Sequence, residues 1–253
     1  MRTSRRGHPG ALPLDMAAIP TQWVPPPGIE VAVLCAAVTS TEECRSKPDA
    51  SRRVNVDATV ELGRRLTDSG ARIVFLSTNM VFDGCTAFVP TKATRCPRTF
   101  YGRMKAEAEE RLLSLGNGTT VVRLTKVIGH SLPVIDHWRD SLSRGEPIRP
   151  LTDLMVAPVS LDLAATVIAA AARDPLGQIL QVSACADVSY AEVAARLAAR
   201  WRASPDLVQP TSAVDLGLAL EHLPRHTTLD ASAVMGTLGI APPDPWAAID
   251  EVA

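Results

Sequence analysis

Short apolar runs alternate with amphipathic segments along the chain. Four of these runs are rich in β-branched residues and apolar throughout, which is typical of strands covered on both faces of a sheet. They are VAVLCA at 31–36, RIVFLS at 72–77, TVVRLT at 120–125 and ILQVS at 179–183. Strands that alternate with helices predict an α/β fold built on a parallel sheet.

Helical periodicity fills the intervals between the apolar runs. Apolar residues recur every fourth position within 54–70, and the segment 106–118 is acidic at its start and rich in glycine at its end. Ser160 is placed to cap a further helix, and Ser189–Glu192 has the spacing of a capping box. In a doubly wound sheet, ligands bind beyond the carboxyl ends of the strands, so the chemistry is expected there.

Composition narrows the classes of partner. The 253 residues carry a net charge of -1, so no basic field favours nucleic acid, and no apolar run is long enough to span a membrane. Five cysteines without CxxC spacing argue against disulfides and a zinc site, and Pro224 breaks the helical spacing of His222 and His226. We therefore expect a cytoplasmic protein with reduced thiols and no metal, in which Cys35 is a small core residue.

One pair of residues has the spacing of a proton-transfer site. Tyr101 and Lys105 share a helix face at i and i+4, and Thr78 directly follows a predicted strand. A nearby cation lowers the pKa of a phenol, which would make Tyr101 a usable general acid or base. A surface pair between Lys105 and Glu109 is the alternative that spacing alone leaves open.

The motifs around this pair resemble a known family. STNMVFDG at 77–84 followed by YGRMKAEAE at 101–109 is similar to the signature of the extended short-chain dehydrogenase/reductases, in their dTDP-4-dehydrorhamnose reductase branch. Further matching segments, in the same order as in the family, are AAVT (36–39), VNVDAT (54–59), VVRLTKVIG (121–129), APVSLDLAATVI (157–168) and PRHTTLDASAVMGTLGI (224–240).

The resemblance implies a fold, a cofactor and a set of site residues. It implies a Rossmann-like doubly wound core at 1–127 and 157–183, with a smaller substrate lobe at 128–156 and 184–253. It further implies a nucleotide-sugar substrate, a cofactor that is NADP or NAD, Tyr101 as acid/base, Lys105 as its activator and nicotinamide-ribose ligand, and Thr78 as partner of the substrate oxygen. The remaining cofactor-binding residues that it implies are Ala36, Ala37, Thr39 and Ser77.

The N-terminal segment, which is expected to bind the cofactor, departs from the family pattern. The strand and GxxGxxG turn that receive the dinucleotide pyrophosphate are absent, and TSRR at 3–6 resembles the end of the second family strand, with LPLDM at 12–16 as the next landmark. Arg5 and Arg6 in that position would meet an adenosine 2′-phosphate and favour NADP, or they form a solvated charge pair. Either Met1 is an internal start preceded by about forty residues, or the protein lacks the phosphate cradle. Without that strand we expect a gap in the sheet, which the N-terminal tail or another subunit would cover. A homodimer is therefore one of the two expected arrangements.

The positions that are expected to bind the substrate depart from the family pattern as well. Asn79 and Met80 stand where the family has aspartate and tyrosine, and Lys126 replaces a tryptophan. Ile128 and Leu223 also replace family residues, whereas Arg225 remains. We therefore predict a substrate other than the dTDP-linked rhamnose precursor, contacted by Asn79, Met80, Lys126 and Arg225. The alternative is that the replacements arose by drift in a non-catalytic relative.

Two functions from different classes follow. The first is an NAD(P)-dependent reductase or epimerase of a nucleotide sugar or related keto compound, with hydride transfer and Tyr101 as acid/base. The second is a non-catalytic sugar-nucleotide-binding or regulatory subunit that has lost the dinucleotide phosphate site. The motifs VNVDA, VFDG and YGxxK resemble the regulatory β subunit of methionine adenosyltransferase equally well.

Overall fold

The computed structural model describes residues 1–5, 9–19, 23–116, 118–129, 132–174, 177–218 and 221–252. The predicted apolar runs form a four-stranded parallel sheet in this part of the chain, in the order β3-β4-β5-β9. The strands are β3 (Val31–Leu34), β4 (Arg72–Thr78), β5 (Thr119–Leu124) and β9 (Ile179–Val182). The expected α/β fold with a parallel sheet is confirmed.

Helices occupy the predicted intervals, and further helices lie outside them. They are α1 (Thr41–Ser46), α2 (Pro48–Arg52), a π-helical turn (Arg53–Ala58), α3 (Thr59–Asp68), α4 (Phe100–Leu113), α5 (Pro133–Ser143), α6 (Leu161–Arg173), α7 (Tyr190–Arg200), α8 (Ser232–Leu238) and α9 (Pro245–Asp250), with 3₁₀ turns at Asn79–Val81 and Pro205–Leu207. The Ser160 cap of α6 and the Ser189–Glu192 capping box of α7 are confirmed.

Helices cover both faces of the sheet, because successive apolar side chains along its strands point to opposite faces. On one face, Ile73 and Phe75 lie in a cluster with side chains of α3 and α4. On the other face, Val74 and Val122 pack against α6 and α8. The carboxyl ends of β4 and β5 are in register, since Thr78 pairs with Leu124, and this places the residues after both strands side by side.

A second apolar core lies away from the sheet. It joins α5, α7 and α9 through buried residues that include Trp138, Leu197 and Ile249. Two small ladders border it, β6 (Lys126–Ile128) with β8 (Pro158–Ser160), and β7 (Met155–Val156) with β10 (Val188–Ser189). The division into a core and a lobe stays a prediction, and α8, assigned to the lobe, packs on the parallel sheet.

A buried polar network joins α4 to the centre of the sheet. Arg123 on β5 donates to both carboxylate oxygens of Glu109, with Nη2 2.7 Å from Oε2, and to Oε1 of Gln181 at 3.1 Å. Both members of the ion pair are almost completely buried, at 1% and 0% exposure. Glu109 is therefore paired below the surface, and the alternative of a Lys105–Glu109 surface pair is wrong.

The N-terminal strands stand apart from the sheet. β1 (Arg2–Ser4) and β2 (Ala11–Pro13) form a parallel pair, and neither is hydrogen-bonded to β3. β1 overlaps TSRR, which resembles the end of the second family strand, and β2 overlaps LPLDM, the next landmark. Leu14, which follows β2, reaches the same cluster as Leu34 at the end of β3. The predicted gap in the sheet is thus present between β1 and β3.

Candidate functional site

A large cavity opens between the N-terminal strand pair and the sheet. Its volume is about 1260 Å³, and the predicted cofactor residues Arg5, Ala36, Ala37 and Thr39 all line it. Arg6 lies outside the described residues, so the structure says nothing of its position. The cavity runs along the whole of β1 and β3 and reaches the residues beyond the carboxyl end of β3, where a doubly wound sheet places a dinucleotide.

The loop after β3 is held by an asparagine that the sequence analysis did not single out. Asn55 is 1% exposed; its Oδ1 accepts from the Val38 N–H at 2.7 Å, and its Nδ2 donates to the Val38 carbonyl at 2.8 Å. It lies in the π-helical turn, a feature that often marks functional sites. The available signal was its place in VNVDAT, a motif already matched to the family. Asn55 therefore fixes the backbone that carries Ala36, Ala37 and Thr39.

Helix α4 is anchored at its first turn. The Thr99 hydroxyl accepts from the Gly102 N–H at 2.9 Å, and Glu221 Oε1 accepts from the Phe100 N–H at 2.7 Å. Gly102 passes so close to the 3₁₀ turn that a Cβ there would lie 2.1 Å from the Met80 carbonyl oxygen. Glycine is thus required beside Tyr101, because it lets the helix start against the backbone of Asn79–Val81.

This contact gives a stability prediction. Gly102→Ala must push α4 away from the Met80 carbonyl, and we expect a loss of about 1–3 kcal/mol in the free energy of unfolding. Gly236→Ala is the matched control, because its added Cβ would meet no atom within 4 Å and alanine favours the helix. Urea denaturation measures both; a Gly102→Ala protein within about 0.5 kcal/mol of the parent would contradict the predicted clash.

Tyr101 and Lys105 both lie on α4, as predicted, but their environments differ from the expectation. Tyr101 packs in a small cluster with Val38, Cys44 and Met104, and burial, with a further contribution from Cys44, raises its pKa to about 12. The expectation that Lys105 lowers this pKa is wrong for this arrangement. The reason is the direction of the lysine, whose Nζ donates to the Leu76 carbonyl and lies 3.8 Å from the centre of the Phe75 ring.

Burial dominates the chemistry of Lys105. The side chain is 3% exposed, and desolvation lowers its pKa to about 7, against a smaller opposing effect of Glu109 and Cys35. An amine with that pKa changes charge near neutral pH, whereas an ordinary lysine changes charge above pH 10. The Lys105 environment thus differs from that of a surface lysine, and it lies under the strand that leads to Thr78.

The lowered pKa of Lys105 makes stability depend on pH. Between pH 7 and about 10 the unfolded chain holds a proton on Lys105 that the folded chain has released, so the free energy of unfolding rises with pH by up to about 1.4 kcal/mol per unit. Lys105→Met removes this dependence. We expect the parent to become more stable relative to the Lys105→Met variant as the pH rises from 7 to 9.5.

Urea denaturation of both proteins at the two pH values tests this expectation. Titrations of cysteine and tyrosine in the unfolded chain are common to both proteins and cancel in the difference. Lys47→Met at an exposed position is the control and should leave the pH dependence as in the parent. A constant difference between parent and Lys105→Met across this range would contradict a pKa near 7.

The hydroxyls at the end of β4 have different roles. Thr78 Oγ1 caps the 3₁₀ turn by accepting from the Met80 N–H at 3.2 Å, and it donates to Asn79 Oδ1 at 3.3 Å. Ser77 is buried, and its Oγ forms no hydrogen bond with the described residues. Thr78 therefore keeps a lone pair for another donor, and its hydrogen is held by a long bond that a better acceptor could replace.

The predicted substrate residues surround the same strand ends. Asn79 and Met80 form the 3₁₀ turn after β4, and exposed Lys126 begins β6 just beyond β5. The Arg225 N–H donates to the Gly84 carbonyl at 3.0 Å, so its backbone lies against the loop that follows this turn. The structure brings these positions to one side of the molecule, and their contact with a substrate stays a prediction.

The predicted cofactor residues of the cavity and the pair Tyr101 and Lys105 on α4 meet at the loop after β3. Val38 lines the cavity and also packs in the cluster with Tyr101, while Cys35 lies close enough to Lys105 to affect its pKa. Cys35 is exposed and lines the cavity, so the prediction of a core residue is wrong. The cavity borders β3 along its whole length, and Leu34 is the one residue of this strand that is buried.

Comparison with known proteins identifies the family. The family model described as the RmlD substrate binding domain matches residues 22–253. The chain belongs to this family. The match covers the parallel sheet from β3 onward, α4 with Tyr101 and Lys105, and the C-terminal segment with Arg225.

Relatives of known name extend the comparison. The probable low-salt glycan biosynthesis reductase Agl14 of Haloferax volcanii is 25% identical over 222 residues, which cover 85% of this chain and 74% of that protein. Methionine adenosyltransferase 2 subunit beta of Pongo abelii is 30% identical over 99 residues, or 39% of this chain. That matched segment spans only 30% of the length of the methionine adenosyltransferase subunit.

A solved structure has the same fold. The dTDP-4-dehydrorhamnose reductase from Bacillus anthracis str. Ames in complex with NADP matches with a TM-score of 0.79 and 19% sequence identity. The superposition covers 88% of this chain and 79% of the reductase. The RmlD-family chain therefore has a Rossmann-like fold, as the resemblance implied.

The residues present suit one half of a dinucleotide. Ala36 and Ala37 leave space at the cavity wall, and Thr39 supplies a polar group there. Lys105 is not among the lining residues, although Cys35, which affects its pKa, is one of them. The sequence contains no GxxGxxG turn for the pyrophosphate. The site thus fits the nicotinamide and its ribose, while the phosphates would depend on Arg5 and on groups that this sequence does not supply.

Among the described residues, no group of three or more His, Cys, Asp or Glu side chains is placed to hold a metal ion. In the same part of the chain, no helix is both long and apolar enough to cross a membrane.

Proposed function

We propose that this RmlD-family chain is an NAD(P)-dependent reductase of a nucleotide sugar or a related keto compound. The observation that supports this most directly is the arrangement around α4, which places Tyr101 in one cluster with the Val38 loop of the cavity. The relatives that match most of the chain include an enzyme named as a reductase. The cofactor of the proposal is NADP or NAD, and the proposed location is the cytoplasm.

The raised pKa of Tyr101 supports the role of proton donor. A phenol with a pKa of about 12 holds its proton at neutral pH, as the reduction of a carbonyl to an alcohol requires. When bound, the nicotinamide supplies the hydride that no side chain can provide. Tyr101 would donate to the substrate oxygen, and Thr78 Oγ1 would exchange its long bond to Asn79 for that same oxygen.

Lys105 has a separate role in the proposal. Its Nζ is tied to the Leu76 carbonyl, directly before the strand residues Ser77 and Thr78. From that position its amine would contact the ribose of the bound cofactor, whereas the pKa of the Tyr101 phenol is governed by burial. Asn79, Met80, Lys126 and Arg225 would contact the sugar nucleotide.

The alternative of a non-catalytic regulatory subunit is not better supported. The methionine adenosyltransferase subunit matches only 39% of this chain, whereas Agl14 matches 85%. Binding of a dinucleotide separates the two possibilities, because a protein without that binding cannot transfer hydride.

Titration with NADPH tests the proposal directly. We expect the nucleotide fluorescence to change with a dissociation constant in the micromolar range, and Trp23 fluorescence to report the same event because Trp23 lines the cavity. Ala37→Leu narrows the cavity and should weaken binding at least tenfold. Ala199→Leu, on an exposed position of α7, is the matched control and should leave binding unchanged. No binding up to millimolar NADPH would overturn the reductase proposal.

A further inference from the structure

Glu221 carries a buried acceptor oxygen that its protein surroundings leave open. Its carboxylate meets the start of α4, 121 positions away in the chain, where Oε1 accepts from the Phe100 N–H at 2.7 Å. Oε2 is buried as well, and no donor in the described part of the chain forms a hydrogen bond with it. We propose that Glu221 is a specificity-determining residue, whose Oε2 accepts a hydrogen bond from a hydroxyl group of the substrate's sugar. The inference rests on the proposed function, since it assigns a further contact in the same site.

The position of Glu221 places it beside the proposed proton donor. Phe100, whose N–H it accepts, directly precedes Tyr101, and the first turn of α4 lies against the turn Asn79–Val81. Burial raises the pKa of the Cys44 thiol, and the negative charge of Glu221 is among the smaller contributions in the same direction. Cys44 packs in one cluster with Tyr101, so the Glu221 carboxylate lies within electrostatic reach of that cluster.

The segment that carries Glu221 is fixed to the loop after that turn. His222 Nε2 lies 2.7 Å from the Asp83 carbonyl oxygen, and two N–H groups further along the segment donate to the Gly84 carbonyl at 3.0 and 2.9 Å. The Glu221 side chain is only 16% exposed. The carboxylate is therefore held by its own backbone on one side and by the first turn of α4 on the other, which gives the open oxygen a fixed position.

The surroundings of the carboxylate define the chemistry of the missing partner. Arg103 Nη2 lies 3.7 Å from Oε1, and the positive end of the α4 dipole faces the same oxygen, so the negative charge is already compensated. Oε2 therefore lacks a hydrogen rather than a second cation. A buried carboxylate oxygen without a donor is unfavourable, and a ligand that supplies the donor removes this penalty. A sugar hydroxyl supplies it, whereas a deoxygenated carbon in the same place would leave Oε2 unpaired.

Glu221→Gln changes the open oxygen and keeps the anchor of α4. The amide oxygen keeps the place of Oε1, because an NH2 group there would point its hydrogens at the Phe100 N–H. The NH2 group therefore replaces Oε2, and it donates where the carboxylate accepts. The urea midpoint of this variant should equal that of the parent, since the hydrogen bond to the first turn of α4 is kept.

Calorimetric titration of the full chain without NADPH tests the contact. The probes are UDP-glucose and dTDP-glucose, the monodeoxy analogues of each, and the nucleoside diphosphates UDP and dTDP. We expect the parent to bind one monodeoxy analogue about tenfold or more weakly than the complete sugar nucleotide, because that analogue leaves Oε2 unpaired. In Glu221→Gln this difference should fall below about threefold, while the affinity for the nucleoside diphosphate stays as in the parent.

Glu110→Gln is the matched control, because it removes the same charge from an exposed position of α4 and should leave every affinity unchanged. Three results would overturn the inference. Equal discrimination among the sugars by parent and Glu221→Gln would show that water occupies Oε2. Equal weakening of the nucleoside diphosphate and the sugar nucleotide would show an effect through α4 alone. The third is a parent that binds neither sugar nucleotide up to millimolar concentration. Because the cofactor is absent from these titrations, a failure of NADPH binding is a separate result that concerns the reductase proposal.

Discussion

Tyr101→Phe should lower kcat for the reduction of a nucleotide-linked keto sugar by about 10²- to 10⁴-fold, the usual contribution of a positioned proton donor. The substitution removes only the hydroxyl, and the ring keeps its contacts with Val38 and Met104. The dissociation constant for NADPH should therefore stay within about threefold of the parent value. The rate is followed by NADPH absorbance with a panel of nucleotide-linked 4-keto sugars.

Tyr190 provides a matched control for this substitution. It is the other tyrosine of the chain and packs edge-on against Trp138, with ring centroids 6.1 Å apart, in the core formed by α5, α7 and α9. Tyr190→Phe should keep kcat within about twofold of the parent. A Tyr101→Phe enzyme that retained more than a tenth of the parent kcat would show that another group donates the proton.

The pH dependence of kcat separates the contributions of Tyr101 and Lys105. Because the pKa of Tyr101 is raised to about 12, the phenol keeps its proton throughout the neutral and mildly alkaline range. Lys105 has a lowered pKa of about 7 and loses its charge in that range. A decrease of kcat above pH 7 in the parent therefore reports Lys105, and the decrease should be absent in Lys105→Met.

Arg123→Met should destabilise the protein by about 3–5 kcal/mol, the largest loss of stability that we expect from a single substitution. The change removes the hydrogen-bond donors to the buried Glu109 carboxylate and leaves it only the Arg95 guanidinium, whose Nη1 lies 3.6 Å from Oε2. It also removes the donors to Gln181 and to the Thr91 carbonyl. Urea denaturation at pH 7 measures the loss. Arg52→Met is the control, since the Arg52–Glu107 pair is largely exposed and should contribute no more than about 1 kcal/mol.

A double substitution separates the lost attraction from the unpaired charge. Arg123→Met with Glu109→Leu removes both charges, and we expect it to be more stable than Arg123→Met alone. If the two proteins were equally stable, the penalty would not come from the buried carboxylate. The comparison also keeps the prediction measurable if the single variant is too unstable to purify.

Patterns within one element were sufficient to predict much of the fold. The β-branched runs became the strands of the parallel sheet, because a strand covered on both faces must be apolar throughout. The i,i+4 spacing correctly placed Tyr101 and Lys105 on one helix, and the serine caps of α6 and α7 were found where the sequence put them.

Properties that depend on tertiary contacts could not be predicted in this way. The pKa of Tyr101 depends on its burial against Val38 and Cys44, which belong to other elements. The direction of the Lys105 amine is set by Leu76 and Phe75 on β4. Asn55 acts through the backbone of Val38, 17 residues away, and Arg123 pairs with Glu109 on α4. The exposure of Cys35 follows from the cavity that borders β3 and the residues after it.

The backbone contact between Gly102 and Met80 has a consequence for the evolution of specificity. The contact is made by a carbonyl oxygen and by the absence of a side chain, so it places no demand on which side chains occupy positions 79 and 80. Asparagine and methionine can replace the aspartate and tyrosine of relatives while α4 keeps its position. Selection could therefore change the sugar that a member of this family accepts without first losing the geometry of its tyrosine.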